Sequence, residues 1–168
     1  MNMSLAPSPG GKGFWEVITM KTYTVAILGA TGAVGQEMIK ILQERNFPVG
    51  KLIPLASARS AGNYIDFKGE KVMILEAKEE NFEGLDFVLG AVEGEQSQIY
   101  APMAVSKGAV YIDNSSAFRL DPNVPLVVPE INGADAFQNK GIIANPNCCT
   151  IIAHLLCTDY IYPIYPFI

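Results

Sequence analysis

Three glycines spaced by threes, in Gly29-Ala30-Thr31-Gly32-Ala33-Val34-Gly35, constrain this chain more than any other feature, because of what flanks them. Before them, Tyr23 to Leu28 (YTVAIL) is a short, apolar, β-branched run of the kind that forms a buried strand. After them, residues 33 to 45 (AVGQEMIKILQER) place Met38, Ile41 and Leu42 at helical spacing. Strand, glycine turn and helix in that order make a βα unit. In such a unit Gly29 allows a tight turn, Gly32 lets the backbone approach a pyrophosphate, and Gly35 lets helix and strand pack closely. The helix N-terminus attracts the anion. Glycines in a βα turn can also be purely structural, but the strand and helix on either side favour the ligand reading.

The alternation continues along the chain. Leu52 to Ala56 (LIPLA) reads as a second strand, with Pro54 removing a backbone donor and so calling for a partly unpaired position. Ile65 to Leu75 has two short runs around Lys68, Gly69 and Glu70 and reads as a hairpin. Asp86 to Leu89 and Val110 to Ile112 are strand-like and flank a helical stretch from about Ser97 to Lys107 that ends before Gly108. Leu126 to Val128 and Ile142 to Ala144 are further short runs, and Cys149 to Leu156 begins a last helix. The expected fold is α/β, a Rossmann-like, doubly wound, mostly parallel sheet with an inserted hairpin.

Composition narrows the function. The 168 residues fit one compact domain, and 49% hydrophobic against 17% charged residues excludes disorder for the bulk of the chain. A net charge of −5 argues against a partner held by its phosphate backbone, so no nucleic acid is expected. No run approaches the roughly 18 apolar residues of a membrane span; the longest candidate is broken by His154, Asp159, Pro163 and Pro166. Cys148, Cys149 and Cys157 lie too close together for a disulfide framework and fit reduced thiols in the cytoplasm. No metal site is expected. Residues 1–19, with Pro7, Pro9, Gly10, Gly11 and Gly13, read as a flexible extension, and the domain is expected over residues 20–153.

Three further segments carry chemistry. An NAD site would normally place an acid after the second strand, about 20 residues beyond the glycines, to bond the ribose 2′-hydroxyl. Here stands Ser57-Ala58-Arg59-Ser60-Ala61-Gly62, whose guanidinium and hydroxyls suit a dianionic 2′-phosphate, so NADP(H) is expected. A polar loop with a solvated arginine is the plainer alternative. Asn145-Pro146-Asn147-Cys148-Cys149 puts a cysteine where a strand passes into a helix, whose unpaired N–H groups stabilise an anion. Cys148 is therefore the candidate nucleophile, while Cys149 and Cys157 read as small buried residues. A cysteine nucleophile reaching a nicotinamide points to thioester or thiohemiacetal chemistry on an aldehyde or acyl phosphate. Finally, Asp113-Asn114-Ser115-Ser116-Ala117-Phe118-Arg119 follows a strand at the edge where open α/β sheets bind ligands. Arg119 there holds an anionic substrate or phosphate, with Asn114 beside it, or else is a surface arginine paired with Asp121.

GATGAVG at 29–35, LASARSAG at 55–62, DNSSAFR at 113–119, PLVVPEIN at 125–132 and NPNC at 145–148, in this order and spacing, closely resemble aspartate-semialdehyde dehydrogenase from about Lys21 to Ala153. The resemblance implies that Thr31, Gly32, Ala33 and Val34 line the NADP pyrophosphate, that Arg59 and Ser60 take the 2′-phosphate, that Arg119 binds phosphate, and that Cys148 is the acyl-thioenzyme nucleophile. It also implies the reduction of L-aspartyl-4-phosphate by NADPH to aspartate semialdehyde and phosphate, on the route to lysine, methionine and threonine. The related N-acetyl-gamma-glutamyl-phosphate reductases usually carry glycine before the cysteine, where this chain has Asn147. A non-catalytic nucleotide-binding module is the alternative of another class. Family members run to about twice this length and are homo-oligomers, with a catalytic and dimerisation domain after the nucleophile helix that supplies a glutamine, an arginine and a general acid/base histidine. Residues 154–168 (HLLCTDYIYPIYPFI) no longer resemble the family, and His154 reads as a helical core or surface residue. They are expected to be a divergent apolar tail in place of that domain, as in a truncated or frameshifted product, and very weak or absent turnover follows.

Overall fold

A computed structural model describes residues 21–153; the expectations for the N-terminal extension, His154, Cys157 and the apolar tail lie outside the described residues. The chain runs β1 (Tyr23–Leu28), α1 (Ala33–Glu44), β2 (Val49–Ala56), β3 (Tyr64–Phe67), β4 (Glu70–Met73), β5 (Leu75–Glu76), β6 (Phe87–Gly90), α2 (Gly94–Ser106), β7 (Val110–Asp113), α3 (Pro129–Asn132) and β8 (Ile142–Ala144). A last helix, α4, is described over 148–153. Six strands form one sheet in the order β5-β2-β1-β6-β7-β8, every pair parallel. Counted along the sheet's own strands this is the 3-2-1-4-5-6 winding of the Rossmann fold, with its switch point between β1 and β6. The α/β, doubly wound expectation holds.

β1 is apolar throughout because both its faces are covered. Val25 and Ile27 pack with Ile39 of α1 and Phe67 of the hairpin, while Ala26 and Leu28 pack with Ala101 and Ala104 of α2. On α1, Gly35 and Ile39 are buried and Met38 and Leu42 partly so; Ile39 faces the sheet, whereas Ile41, expected on that face from its spacing, is 39% exposed. Ser97, Ala101 and Ala104, at helical spacing, are the buried face of α2 and let it lie close to the sheet. That helix begins at Gly94, three residues before the expected start, since Gly94 and Glu95 carry no apolar periodicity.

The hairpin β3–β4 is antiparallel, and Lys68 and Gly69 both take positive φ (51° and 83°), the turn whose twist matches paired strands. Leu75, expected at the end of the hairpin, instead leaves it to pair with Leu55 as edge strand β5. Pro54 sits as its chemistry demands. The Leu55 carbonyl accepts from Gly29 on the β1 side and the Ala56 carbonyl from Ala77 on the β5 side, so alternation aims the Pro54 nitrogen toward β5, ahead of where β5 starts. Leu126 to Val128 makes only a single bridge, Leu126 to Ala144, before Pro129 opens α3.

Candidate functional site

The glycine turn lies at the carboxyl end of β1, over the switch point. Gly29 has φ +85°, and a Cβ there would strike the Ala91 carbonyl oxygen; a Cβ at Gly35 would strike the Gly29 carbonyl oxygen. Both are therefore glycines for reasons internal to the fold. Gly32 is different: its φ of −77° is ordinary, and the heavy atom nearest a Cβ there would be the Gly29 carbonyl oxygen at 3.4 Å. Packing does not explain a glycine at this exposed position, whereas close approach by a ligand does. Gly32 is also the N-cap of the 12-residue α1, with no side chain capping the helix and no acid in its first turn. Its first N–H groups are left for an anion.

Two adjoining cavities run along the strand ends. One, of about 320 Å³, is lined by Gly29, Thr31, Gly32 and Ser57 together with Ala91, Glu93, Gln96 and Tyr100. The other, of about 220 Å³, shares Ala91, Val92 and Glu93 and adds Val34, Gly94, Asn114 and Ser115. The resulting cleft connects the glycine turn to the segment after β7. A dinucleotide fits this arrangement, because the exposed cradle at Gly32 meets an uncapped helix end midway along an elongated groove. The loop after β2 is a tight turn in which the N–H groups of Ser60 and Ala61 both donate to the Ser57 carbonyl. Arg59 is exposed at its tip and takes part in none of the described ion pairs.

The cysteine turn is tied to the end of β7. Asn145 donates its N–H to the Asp113 carbonyl at 2.8 Å and its side-chain amide to Asn114 Oδ1 at 2.8 Å. Arg119 spans the same two segments, with Nε donating to the Asn145 carbonyl at 2.9 Å and Nη2 to the Asn114 carbonyl at 3.1 Å. The pairing of Arg119 with Asp121 does not form, since Asp121 Oδ1 instead accepts from the backbone and side chain of Asn123. Asn147 caps α4: its carbonyl accepts from Ile151 and its Oδ1 from the Cys149 N–H at 2.9 Å. Cys148 is thus the first residue of the helix and is exposed. Cys149, expected to be buried, is exposed too, because the whole first turn of α4 stands clear of the sheet.

Of the sequence-predicted residues, Gly29, Thr31, Gly32, Val34, Ser57 and Asn114 line the cleft. Ala33, Arg59, Ser60, Arg119 and Cys148 do not line it; the first three belong to the two turns beside it, Arg119 bonds the Asn114 carbonyl, and Cys148 follows Asn145, whose side chain bonds Asn114. Residues 91–93, Gln96 and Tyr100 were missed, although a strand ending at Gly90 directly before a helix start at Gly94 was the available signal. Among the described residues, no helix is long and apolar enough to cross a membrane, and no cluster of metal-ligating side chains occurs.

Comparison with known proteins adds the following. The family described as semialdehyde dehydrogenase, NAD binding domain, matches residues 24–139. The aspartate-semialdehyde dehydrogenase of Bacillus subtilis (strain 168) is 55% identical over 127 residues, 76% of this chain and 37% of that protein. Aspartate semialdehyde dehydrogenase II of Vibrio cholerae, in a crystal structure complexed with ASA, is similar with a TM-score of 0.79 at 47% identity, over 85% of this chain and 47% of that one. The Candida albicans enzyme, crystallised with NADP, is similar with a TM-score of 0.62 at 26% identity, over 77% of this chain and 44% of that one. The chain spans about two-fifths of the length of the curated relatives it matches.

Proposed function

Because this chain belongs to the semialdehyde dehydrogenase family through that family's NAD-binding domain, we propose that it is the NADP-binding and nucleophile-bearing part of an aspartate-semialdehyde dehydrogenase. The observation that carries this reading is the meeting of two turns at one end of one sheet. The uncapped helix start over β1 lines the cleft, and the capped Cys148 turn is tied through Asn145 to Asn114, which lines the other end of it.

In this reading the α1 N-terminus and the backbone of Thr31 to Val34 hold the pyrophosphate, and Arg59 with Ser57 and Ser60 holds the 2′-phosphate that distinguishes NADP from NAD. NADPH, when bound, supplies the hydride. The Cys148 sulfur attacks the acyl carbon of L-aspartyl-4-phosphate; the S–C bond forms, the C–O bond to phosphate breaks, and phosphate leaves. Arg119, fixed by two carbonyls, has further N–H donors to offer that phosphate, and Asn114 stands beside it. Reduction of the thioester carbon releases L-aspartate 4-semialdehyde and returns the sulfur. The product lies on the route to lysine, methionine and threonine, and the enzyme acts in the cytoplasm as a homo-oligomer.

No histidine lies among the described residues, and general acid/base catalysis commonly contributes about 10²- to 10⁴-fold, so weak turnover by these 168 residues alone is part of the proposal. The experiment is phosphate-dependent reduction of NADP+ with aspartate semialdehyde, run beside incubation with L-aspartyl-4-phosphate and mapping of the adduct. A thioester on Cys148 without robust turnover supports the proposal. An unmodified Cys148 contradicts the nucleophile assignment, and robust turnover contradicts the expected weak turnover of these residues alone.

A further inference from the structure

Beneath the floor of the cleft lies a polar cluster that neither cofactor binding nor the cysteine chemistry uses directly. Ser97 and Asp113 are wholly buried, in contact with the apolar cluster that contains Tyr111. Ser97 Oγ donates its one proton to Asp113 Oδ1 at 2.7 Å, so the Tyr111 hydroxyl, 3.0 Å away, donates to Ser97. Asp113 also accepts from the Ser115 N–H at 3.1 Å and from Ser115 Oγ at 2.8 Å, and Ser115 Oγ accepts from the Ala117 N–H at 3.1 Å. Gly90 makes room for the phenol, since a Cβ there would strike the Tyr111 hydroxyl.

A buried, hydrogen-bonded carboxylate is weak evidence for stability, because well-packed apolar groups often do as well. What this one does is geometric. It joins α2 to β7 and to the turn after β7, and Arg119 carries that turn on to Asn145, the residue that opens the cysteine turn. We infer that Asp113, held by Ser97, is a positioning residue that fixes the 114–119 turn and, through Arg119 and Asn145, sets Cys148 against the cofactor cleft. The inference rests on the reading of Cys148 as the nucleophile. It assigns the Ser97–Asp113 pair a role in coupling cofactor occupancy to the cysteine, beyond holding the sheet together.

The test is brief iodoacetamide labelling of the full 168-residue chain, followed by peptide mass mapping, with and without NADP(H) far above its Kd. Wild type is expected to label at Cys148 before Cys149, with bound cofactor slowing Cys148 about fivefold or more. In Ser97→Ala that protection falls below about twofold, and Ser97→Ala/Arg119→Ala is no worse than Arg119→Ala alone, because both act on one path. Asp113→Asn keeps the size and one acceptor for Ser97, and retains at least half the protection. A merely structural role lowers the melting temperature but leaves the protection ratio of the folded molecules unchanged. Near-UV circular dichroism and a cooperative melt above the assay temperature establish that each variant is folded. Folded Ser97→Ala with wild-type protection overturns the inference, as do additive losses in the double variant. Should Ser97→Ala not fold, Ser97→Cys fills the volume with a weaker donor and is expected to lose part of the protection; full protection there overturns the inference equally. Wild type that shows no protection, or labels Cys149 first, refutes the reading of Cys148 itself and the inference with it, an outcome seen without any variant.

Discussion

Replacing Gly32 and Gly35 by alanine, one at a time, separates what the glycine turn does for the fold from what it does for a ligand. At Gly35 a methyl group meets the Gly29 carbonyl oxygen, with Ala30 Cα and the Gly29 carbonyl carbon each 2.9 Å away. These are backbone atoms that cannot swing aside, so α1 must move off β1, an overpacking that costs about 1–3 kcal/mol. Alanine's better helix propensity returns less than about 1 kcal/mol. The net loss, up to about 2–3 kcal/mol, lowers Tm by up to roughly 10 °C for a domain of this size. At Gly32 the extended backbone suits any residue, and the nearest atom is at 3.4 Å. Alanine removes about 0.4–1 kcal/mol of unfolded-chain entropy but caps a helix less well than glycine by a similar amount, so stability barely changes. In the proposed binding of the cofactor, the methyl stands where a phosphate approaches the helix N–H groups. Losing one charge-assisted hydrogen bond of about 1.5–3 kcal/mol raises the Kd for NADPH about 10- to 150-fold. Thermal melts and fluorescence titration with NADPH read the two effects on the same samples. A Gly32→Ala protein that melts as low as Gly35→Ala, or that binds NADPH like wild type, refutes the reasoning.

Two further outcomes follow from the buried network and the cysteine turn. Burial pushes the Tyr111 hydroxyl up to about 12, chiefly by desolvation, with the nearby Asp113 carboxylate adding to the rise. A folded-state value above the unfolded one means that this group's contribution is fully present below pH 10 and is lost between about pH 10 and 12, by at most about 1.4 kcal/mol per pH unit. Urea melts of wild type and Tyr111→Phe over that range are expected to converge as pH rises, and parallel curves would contradict the assignment. Arg119→Ala removes two hydrogen bonds from a charged donor that bridge Asn114 and Asn145, and is expected to destabilise by about 1–3 kcal/mol. Asp121→Ala should stay within about 0.5 kcal/mol, and equal losses in urea unfolding would restore the surface pairing that the structure does not contain.

The winding of the sheet was legible because its signals are local. An apolar run ending at glycine, a helix opening at the next one, and Lys68-Gly69 between two short strands each follow from residues within one turn of each other. Elements whose existence depends on distant partners were not. β5 is two residues long and is a strand only because β2 lies beside it. Ile39 rather than Ile41 faces the sheet because the packing of Gly35 on Gly29 sets the rotation of α1. The site divides in the same way. The glycine, serine-arginine and cysteine turns announce themselves in sequence, whereas Ser97, Tyr111 and Asp113 are ordinary residues until the register of β6, β7 and α2 brings them together. The sequence reads Arg119 as a phosphate ligand, whereas its two carbonyl partners, 5 and 26 residues away, are visible only in the fold.

Parallel titrations of wild type and Arg59→Ala with NADPH and NADH test most directly the proposal that this chain holds NADP(H) at the glycine turn, with Arg59 reading the 2′-phosphate. Wild type is expected to bind NADPH saturably, one per chain, and more tightly than NADH. Arg59→Ala should lose about 1.5–3 kcal/mol toward NADPH, a factor of roughly 10 to 150, and little toward NADH. Absence of saturable NADPH binding, or equal losses for both cofactors on removing Arg59, would contradict it.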